Sequence, residues 1–147
     1  PFFHAIVDKA TDKAVGVAAL MRIVPEHGVI EVGHIAYSPA LQRTFGATEA
    51  QHMLMTRVFD GLGYRRYEWK CNARNEASMR AAERLGFRYE GTFRKHMIVK
   101  GQNRDTAWFS ITDDEWPQVK AATRAWLSPD NFDESGQQRS RLVVWEQ

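Results

Sequence analysis

The stretch His34–Ala50, HIAYSPALQRTFGATEA, constrains this chain more than any other. It predicts a strand at His34–Tyr37, a turn at Ser38-Pro39, an irregular loop over Ala40–Ala47 and a helix opening at about Thr48. The first turn of a helix carries backbone N–H groups without intrahelical partners, and the helix dipole adds partial positive charge there. Such an end accepts phosphate readily. The strand before it then offers its backbone to whatever hangs from that phosphate. The rest of the chain is read as support for this junction and as its second wall.

Phe2–Val7 and Ala14–Ile23 are apolar runs around the polar turn Asp8–Lys13, the pattern of an antiparallel hairpin. Val29–Tyr37 is a third strand, with Gly33 in its interior as the signal of a bulge or a close approach. Ala50, Leu54, Val58 and Leu62 recur every fourth residue and predict a helix over Thr48–Leu62, stopped by Gly63, with Met53 and Met55 as core. Tyr64–Cys71 follows as a strand, parallel to the third one because a helix crosses between them. Asn75 caps a helix over Glu76–Leu85 that Gly86 ends. Phe87–Val99 and Asp105–Thr112 form a hairpin, and a helix runs from Glu115 to about Leu127, capped by Asp113 or Asp114. The order β-β-β-α-β-α-β-β-α gives one α+β domain over residues 1–127 with a mixed sheet. Residues 128–147 form a C-terminal tail, polar and solvated over Ser128–Arg141, in which Val143-Val144-Trp145 docks either on the body or on a second copy, leaving a homodimer open.

The totals exclude several classes. A net charge of +2 gives no argument for nucleic acid, no apolar run reaches the roughly 18–20 residues of a membrane span, and neither partner is expected. Cys71 is the sole cysteine, so no internal disulfide forms. It reads as a buried strand residue. The five tryptophans read as core and interface anchors.

Three ordered stretches carry a family resemblance: Glu31–Pro39 (EVGHIAYSP), Gln42–Ala50 (QRTFGATEA) and Asn75–Arg94 (NEASMRAAERLGFRYEGTFR). The chain resembles the GNAT superfamily of acetyl-CoA-dependent N-acetyltransferases, and within it the RimJ/RimL branch that acetylates ribosomal-protein N-termini. The resemblance implies a mostly antiparallel sheet with a central parallel strand pair, flanked by helices. It places the family's first strand and two helices before Pro1. It also implies acetyl-CoA as co-substrate, no metal and an amine acceptor, and the lone Cys71 fits the reducing compartment of a cytoplasmic location.

By the same resemblance, Gln42, Arg43, Thr44, Phe45, Gly46 and Ala47 are the pyrophosphate loop. Phe45 stands where the family has its first glycine, a departure that weighs against close backbone approach unless the ring turns away. Ile35, Ala36 and Tyr37 contact acetyl group and pantetheine through backbone, and Asn75 bonds the cofactor arm. Glu31 is the candidate general base, set against the plainer reading of an outward-facing carboxylate. His34 is a rival base that strand alternation puts on the opposite face unless a bulge intervenes. Ser78 protonates the departing thiolate, set against simple first-turn structure. Arg65-Arg66 and Arg94-Lys95 are solvated faces, or steer an acidic acceptor or the 3′-phosphate of CoA. Two other readings remain at this point: a non-catalytic CoA-binding or regulatory domain, and an RNA-binding module, against which the small charge speaks.

Overall fold

The computed structural model describes residues 1–146. Six strands, β1 (Phe2–Asp8), β2 (Lys13–Val24), β3 (Val29–Tyr37), β4 (Arg66–Asn72), β5 (Arg88–Val99) and β6 (Gln102–Thr112), form one sheet in the order β1-β2-β3-β4-β6-β5. Three helices intervene: α1 (Phe45–Thr56), α2 (Glu76–Leu85) and α3 (Trp116–Trp126). All pairings are antiparallel except β3 with β4, which run parallel. The expected α+β architecture, mostly antiparallel with one central parallel pair, is therefore the observed one.

The parallel pair is short. Val29–Glu31 pair with Arg66–Glu68, and beyond that point β3 pairs only with β2 and β4 only with β6. The cause is local. One β2 residue between Val17 and Ala19 faces two β3 residues between Gly33 and Ala36, a bulge in which His34 takes a left-handed φ of 46°. A bulge bends and twists its strand. It turns β3 away from β4 and leaves a splayed gap with unladdered backbone on both sides.

Alternate strand residues build the core. Ala18, Leu20, Ile30, Val32, Tyr67, Trp69, Cys71, Ala107, Phe109 and Ile111 join one cluster with the buried faces of the three helices. The interleaved Glu31, Glu68, Thr106 and Ser110 are buried on the other face and belong to no apolar cluster. All three helices thus cover one face. Phe59 stacks on Trp116 at 5.1 Å, and Phe87 packs on Tyr67 and Trp69 at 5.5 and 5.4 Å. Each buried side chain of this size contributes roughly 1.5–3 kcal/mol relative to exposure.

Several local features differ from the expectation. Helix α1 opens at Phe45, three residues early, because Thr44 serves as its N-cap: its hydroxyl accepts from Ala47 N at 3.4 Å. Met55 is fully buried but Met53 is 64% exposed. A wide π-type turn at Arg57–Gly61 shifts the helical phase and turns Leu62 outward. No side chain caps α3, so neither Asp113 nor Asp114 plays the expected part. Residues Ser128–Arg141 are largely exposed but are tied down, with Asn131 Nδ2 donating to Trp126 O at 3.0 Å and Phe132 bridging to Gln138. Of the two docking surfaces expected for Val143–Trp145, the structure shows the body: Leu142 and Val144 enter the core and Trp145 Nε1 donates to Gly86 O at 2.9 Å. Gly86 has a φ of 104°, and a Cβ there would lie 3.0 Å from Val119 and 3.1 Å from Val144.

Candidate functional site

A cleft of about 810 Å³ opens between the end of β3, the first turn of α1, the Ala77-Ala81-Arg84 side of α2, and a C-terminal wall of Trp126, Phe132 and Gly136–Gln138. Trp69 of β4 and Tyr37 of β3 both line it, so it is continuous with the splayed gap. Its size lies within the range of small-molecule sites. A second cavity of about 640 Å³ lies on the other flank of α1, against β1 and β2, and does not reach β4.

The loop residues expected at the phosphate end gather here with one exception. Gln42, Arg43, Thr44, Phe45 and Ala47 line the cleft, whereas Gly46 faces the second cavity. Gln42 Nε2 donates to Tyr37 O at 3.0 Å, and Thr44 Oγ1 donates to Leu41 O at 2.6 Å. These bonds tie the loop to the end of β3. Arg43 holds a φ of 58°, which turns the chain into the helix. Among the described residues, no intramolecular acceptor takes up the N–H groups of Arg43, Thr44, Phe45 or Gly46. Phe45 is 38% exposed, and its ring packs against Phe132 at 5.3 Å and Trp126 at 6.1 Å, on the C-terminal wall of the cleft.

Ile35 is half-buried against the core, Ala36 is exposed, and Tyr37 points toward α1, its hydroxyl accepting from Gln51 Nε2 at 2.7 Å. Burial pushes the Tyr37 phenol up, and the Gln51 bond partly offsets this. Ser78, outside the cleft lining, accepts at Oγ from Trp69 Nε1 at 3.0 Å. Cys71 lies beside it, its thiol pushed up mainly by burial. Asn75 is spent on capping α2, its Oδ1 accepting from Ser78 N at 3.1 Å, and it is exposed outside the cleft lining.

Glu31 is on the opposite face of the sheet from the helices and is only 5% exposed. Lys70 Nζ is 2.7 Å from its Oε1, off the direction of a good hydrogen bond, and Arg22 Nε is 3.4 Å away. Lys70 also reaches Glu68 at 3.3 Å and lies over the Trp108 ring at 4.0 Å. Arg66 joins the network through Glu68 at 2.9 Å and a two-point contact with Glu90, so it is not a free solvated cation. His34 shares the face of Glu31. The intervening bulge reverses the alternation, and the His34 ring packs on Phe3, which is opposite Ala19 and Gly33 on that side.

Sequence reasoning missed Arg84, Thr48, Gln51 and the C-terminal wall. Ala77, Ala81 and Arg84 at helical spacing were the legible signal for the α2 side. Phe132, a lone aromatic in a polar stretch, was the signal for the wall. Among the described residues, no group of three or more His, Cys, Asp or Glu side chains is placed to hold a metal ion. No described helix is long and apolar enough to cross a membrane.

A sheet split at its parallel pair, with a helix N-terminus and a deep cleft at the split, defines the fold of the GNAT acetyltransferases. The chain belongs to that family: the description "Acetyltransferase (GNAT) domain" matches residues 1–88. A GCN5-related N-acetyltransferase from Brucella melitensis is 59% identical, with a TM-score of 0.95 over 97% of this chain and 64% of that one. A GNAT-family protein from Chromobacterium violaceum is 49% identical, with a TM-score of 0.75 over 78% of this chain and 58% of that one. The chain thus spans less than two thirds of the length of these relatives. A spermidine N-acetyltransferase from Vibrio cholerae shares the fold at 19% identity and a TM-score of 0.70, covering 78% of this chain and 66% of that one. No curated protein matches the chain.

Proposed function

We propose that the protein is an acetyl-CoA-dependent N-acetyltransferase that acts on a primary amine, by direct attack with both substrates bound. The observation that carries this is the continuity of the split β3–β4 pair with a cleft whose end is a helix N-terminus bearing unpartnered amides. Family membership supports it. Acetyl-CoA supplies a thioester that a neutral amine attacks. The chain supplies binding, orientation and proton transfer.

Arg43, Thr44, Phe45 and Ala47 hold the diphosphate, with Gly46 contributing only its backbone. The unladdered backbone of Ile35–Tyr37 lies along the pantetheine arm, and a free N–H in the gap is the natural partner for the thioester oxygen. Glu31 takes the amine's proton directly or through water. His34 is the second candidate, since the bulge places it on the same face. Ser78 gives a proton to the departing thiolate from the helix side. Asn75 acts through Ser78, whose backbone it fixes.

The acceptor is a protein N-terminus, as the likeness to the RimJ/RimL branch suggests, or a small amine, as in the spermidine-acetylating relative. A cytoplasmic location follows from the availability of acetyl-CoA there. The test is thermal shift with acetyl-CoA, CoA and ATP, followed by turnover against an amine panel. Stabilisation by the first two alone, with turnover, supports the reading. Stabilisation without turnover of any amine favours a non-catalytic CoA-binding domain. No response to either CoA species overturns the assignment.

A further inference from the structure

The lining of the 810 Å³ cleft contains two cations, Arg43 and Arg84, and no carboxylate. The second cavity differs, since Asp8 and Glu49 line it together with Lys9 and Arg57. Arg43 belongs to the loop already discussed. Arg84 does not: it is on the last turn of α2, across the cleft from the first turn of α1.

Its guanidinium is fixed by two contacts from different elements. Nη1 donates to Thr48 Oγ1 of α1 at 2.9 Å, and the group lies over the Trp126 ring of α3 at 4.9 Å. Trp126 is in turn pinned by its Nε1 bond to Gln138 Oε1 at 3.0 Å, within the C-terminal wall. Trp126 and Gln138 both lie beyond residues 1–88, where the family description ends. Among the described residues, no carboxylate pairs with Arg84, whereas Arg66 has two and Arg88 has one. Burial alone acts on the guanidinium, lowering it from the ordinary arginine value with no nearby acid to offset the cost. A cation that is pre-aimed, partly desolvated and left without a counter-charge is an anion site.

We propose that Arg84, positioned by Thr48 and Trp126, clamps a phosphate of the nucleotide end of CoA. This rests on the reading of the cleft as the CoA site. Most of the guanidinium's donor fork is unspent, and its planar geometry suits two oxygens of one phosphate. The C-terminal wall then has a defined part: through Gln138 it holds Trp126, and through Trp126 it holds the cation over the cleft.

The experiment is calorimetric titration of wild type, Arg84→Gln and Arg84→Lys with CoA, 3′-dephospho-CoA and pantetheine. Arg84→Gln is expected to weaken CoA about tenfold, the scale of a charged hydrogen bond at a half-exposed site. Arg84→Lys is expected to recover only part of that, since it keeps the charge and loses the fork. Pantetheine, which lacks these phosphates, is expected to bind all three proteins equally. An equal loss on CoA and 3′-dephospho-CoA assigns the diphosphate. A loss confined to CoA assigns the 3′-phosphate. Arg84→Gln within twofold of wild type on CoA overturns the clamp and leaves the cofactor reading intact. So does a matching loss on pantetheine. A wild type without affinity for CoA removes the cofactor reading and the clamp together.

Discussion

Replacing Lys70 by Met is the sharpest probe of the outer face. Glu31 and Glu68 are opposite each other in the parallel pair and are 5% and 8% exposed. The Lys70 ammonium sits between them at 2.7 and 3.3 Å. Methionine keeps much of the stem's volume, so packing changes little and the charge is what is lost. Removing one partner of a buried ion pair costs roughly 3–5 kcal/mol, because the other charge is left uncompensated. Arg66 remains 2.9 Å from Glu68, and Arg22, itself 62% exposed, remains 3.4 Å from Glu31. The expected loss is therefore about 3 kcal/mol at pH 7, at the low end of that range. Urea denaturation of wild type and Lys70→Met at pH 7 measures it. A loss below about 0.5 kcal/mol at pH 7 would mean that the ammonium contributes no more than an exposed pair, and the picture of a closed charge network would be abandoned.

Glu31→Gln should lower turnover more than it weakens CoA binding, read as kcat against the CoA dissociation constant; an unchanged kcat takes Glu31 out of the mechanism and leaves His34 as the base. Gly86→Ala should cost about 2–4 kcal/mol in chemical denaturation, combining a left-handed φ with a Cβ pressed on two stiff valines; a cost under 1 kcal/mol would show that α3 and the C-terminal segment yield easily. His52 is held below the ordinary imidazole value of about 6.5 by burial first and then by Arg124 and Lys120. Its contribution is thus full above that value and lost as pH falls through the lower folded one. The melting temperature should decline on acidification from pH 7, and His52→Gln should flatten that decline; identical slopes for the two proteins would refute the assignment.

Much of this fold was legible because its signals are local. Asn75 and Gly86 bracket α2 by capping chemistry, and β3 and α2 end where the residue pattern says they do. The start of α1 was misplaced because Thr44 and Thr48 are both acceptable caps on a sequence view. The choice between them depends on Thr44 reaching Leu41 O and Ala47 N, which no periodicity encodes. Met53 and Met55 are indistinguishable in composition, and only the phase of α1 against the sheet separates an exposed side chain from a buried one. The loop end of the cleft was legible from its motif. The Arg84 end was not, because the partners that fix it, Thr48 and Trp126, are 36 and 42 positions away in the chain.

On the proposed reading, the bulge at His34 lets acid–base candidates on two faces of one sheet serve a single site. Glu31 and His34 lie on the outer face, whereas Ser78 and Trp69 lie on the helix side. An intact ladder would separate them by a wall of hydrogen-bonded backbone. The β3–β4 ladder stops at Glu31 and Glu68, so the wall opens just past the two carboxylates. On the proposed reading the carrier enters from the helix side and the amine from the outer face. The proton is taken up on one side of the gap and delivered on the other. The two proton-transfer groups then need not compete for space or share a solvent shell. Closing the gap would abolish transfer even with every candidate side chain in place. The backbone break therefore ranks above any one of those side chains in what the site requires.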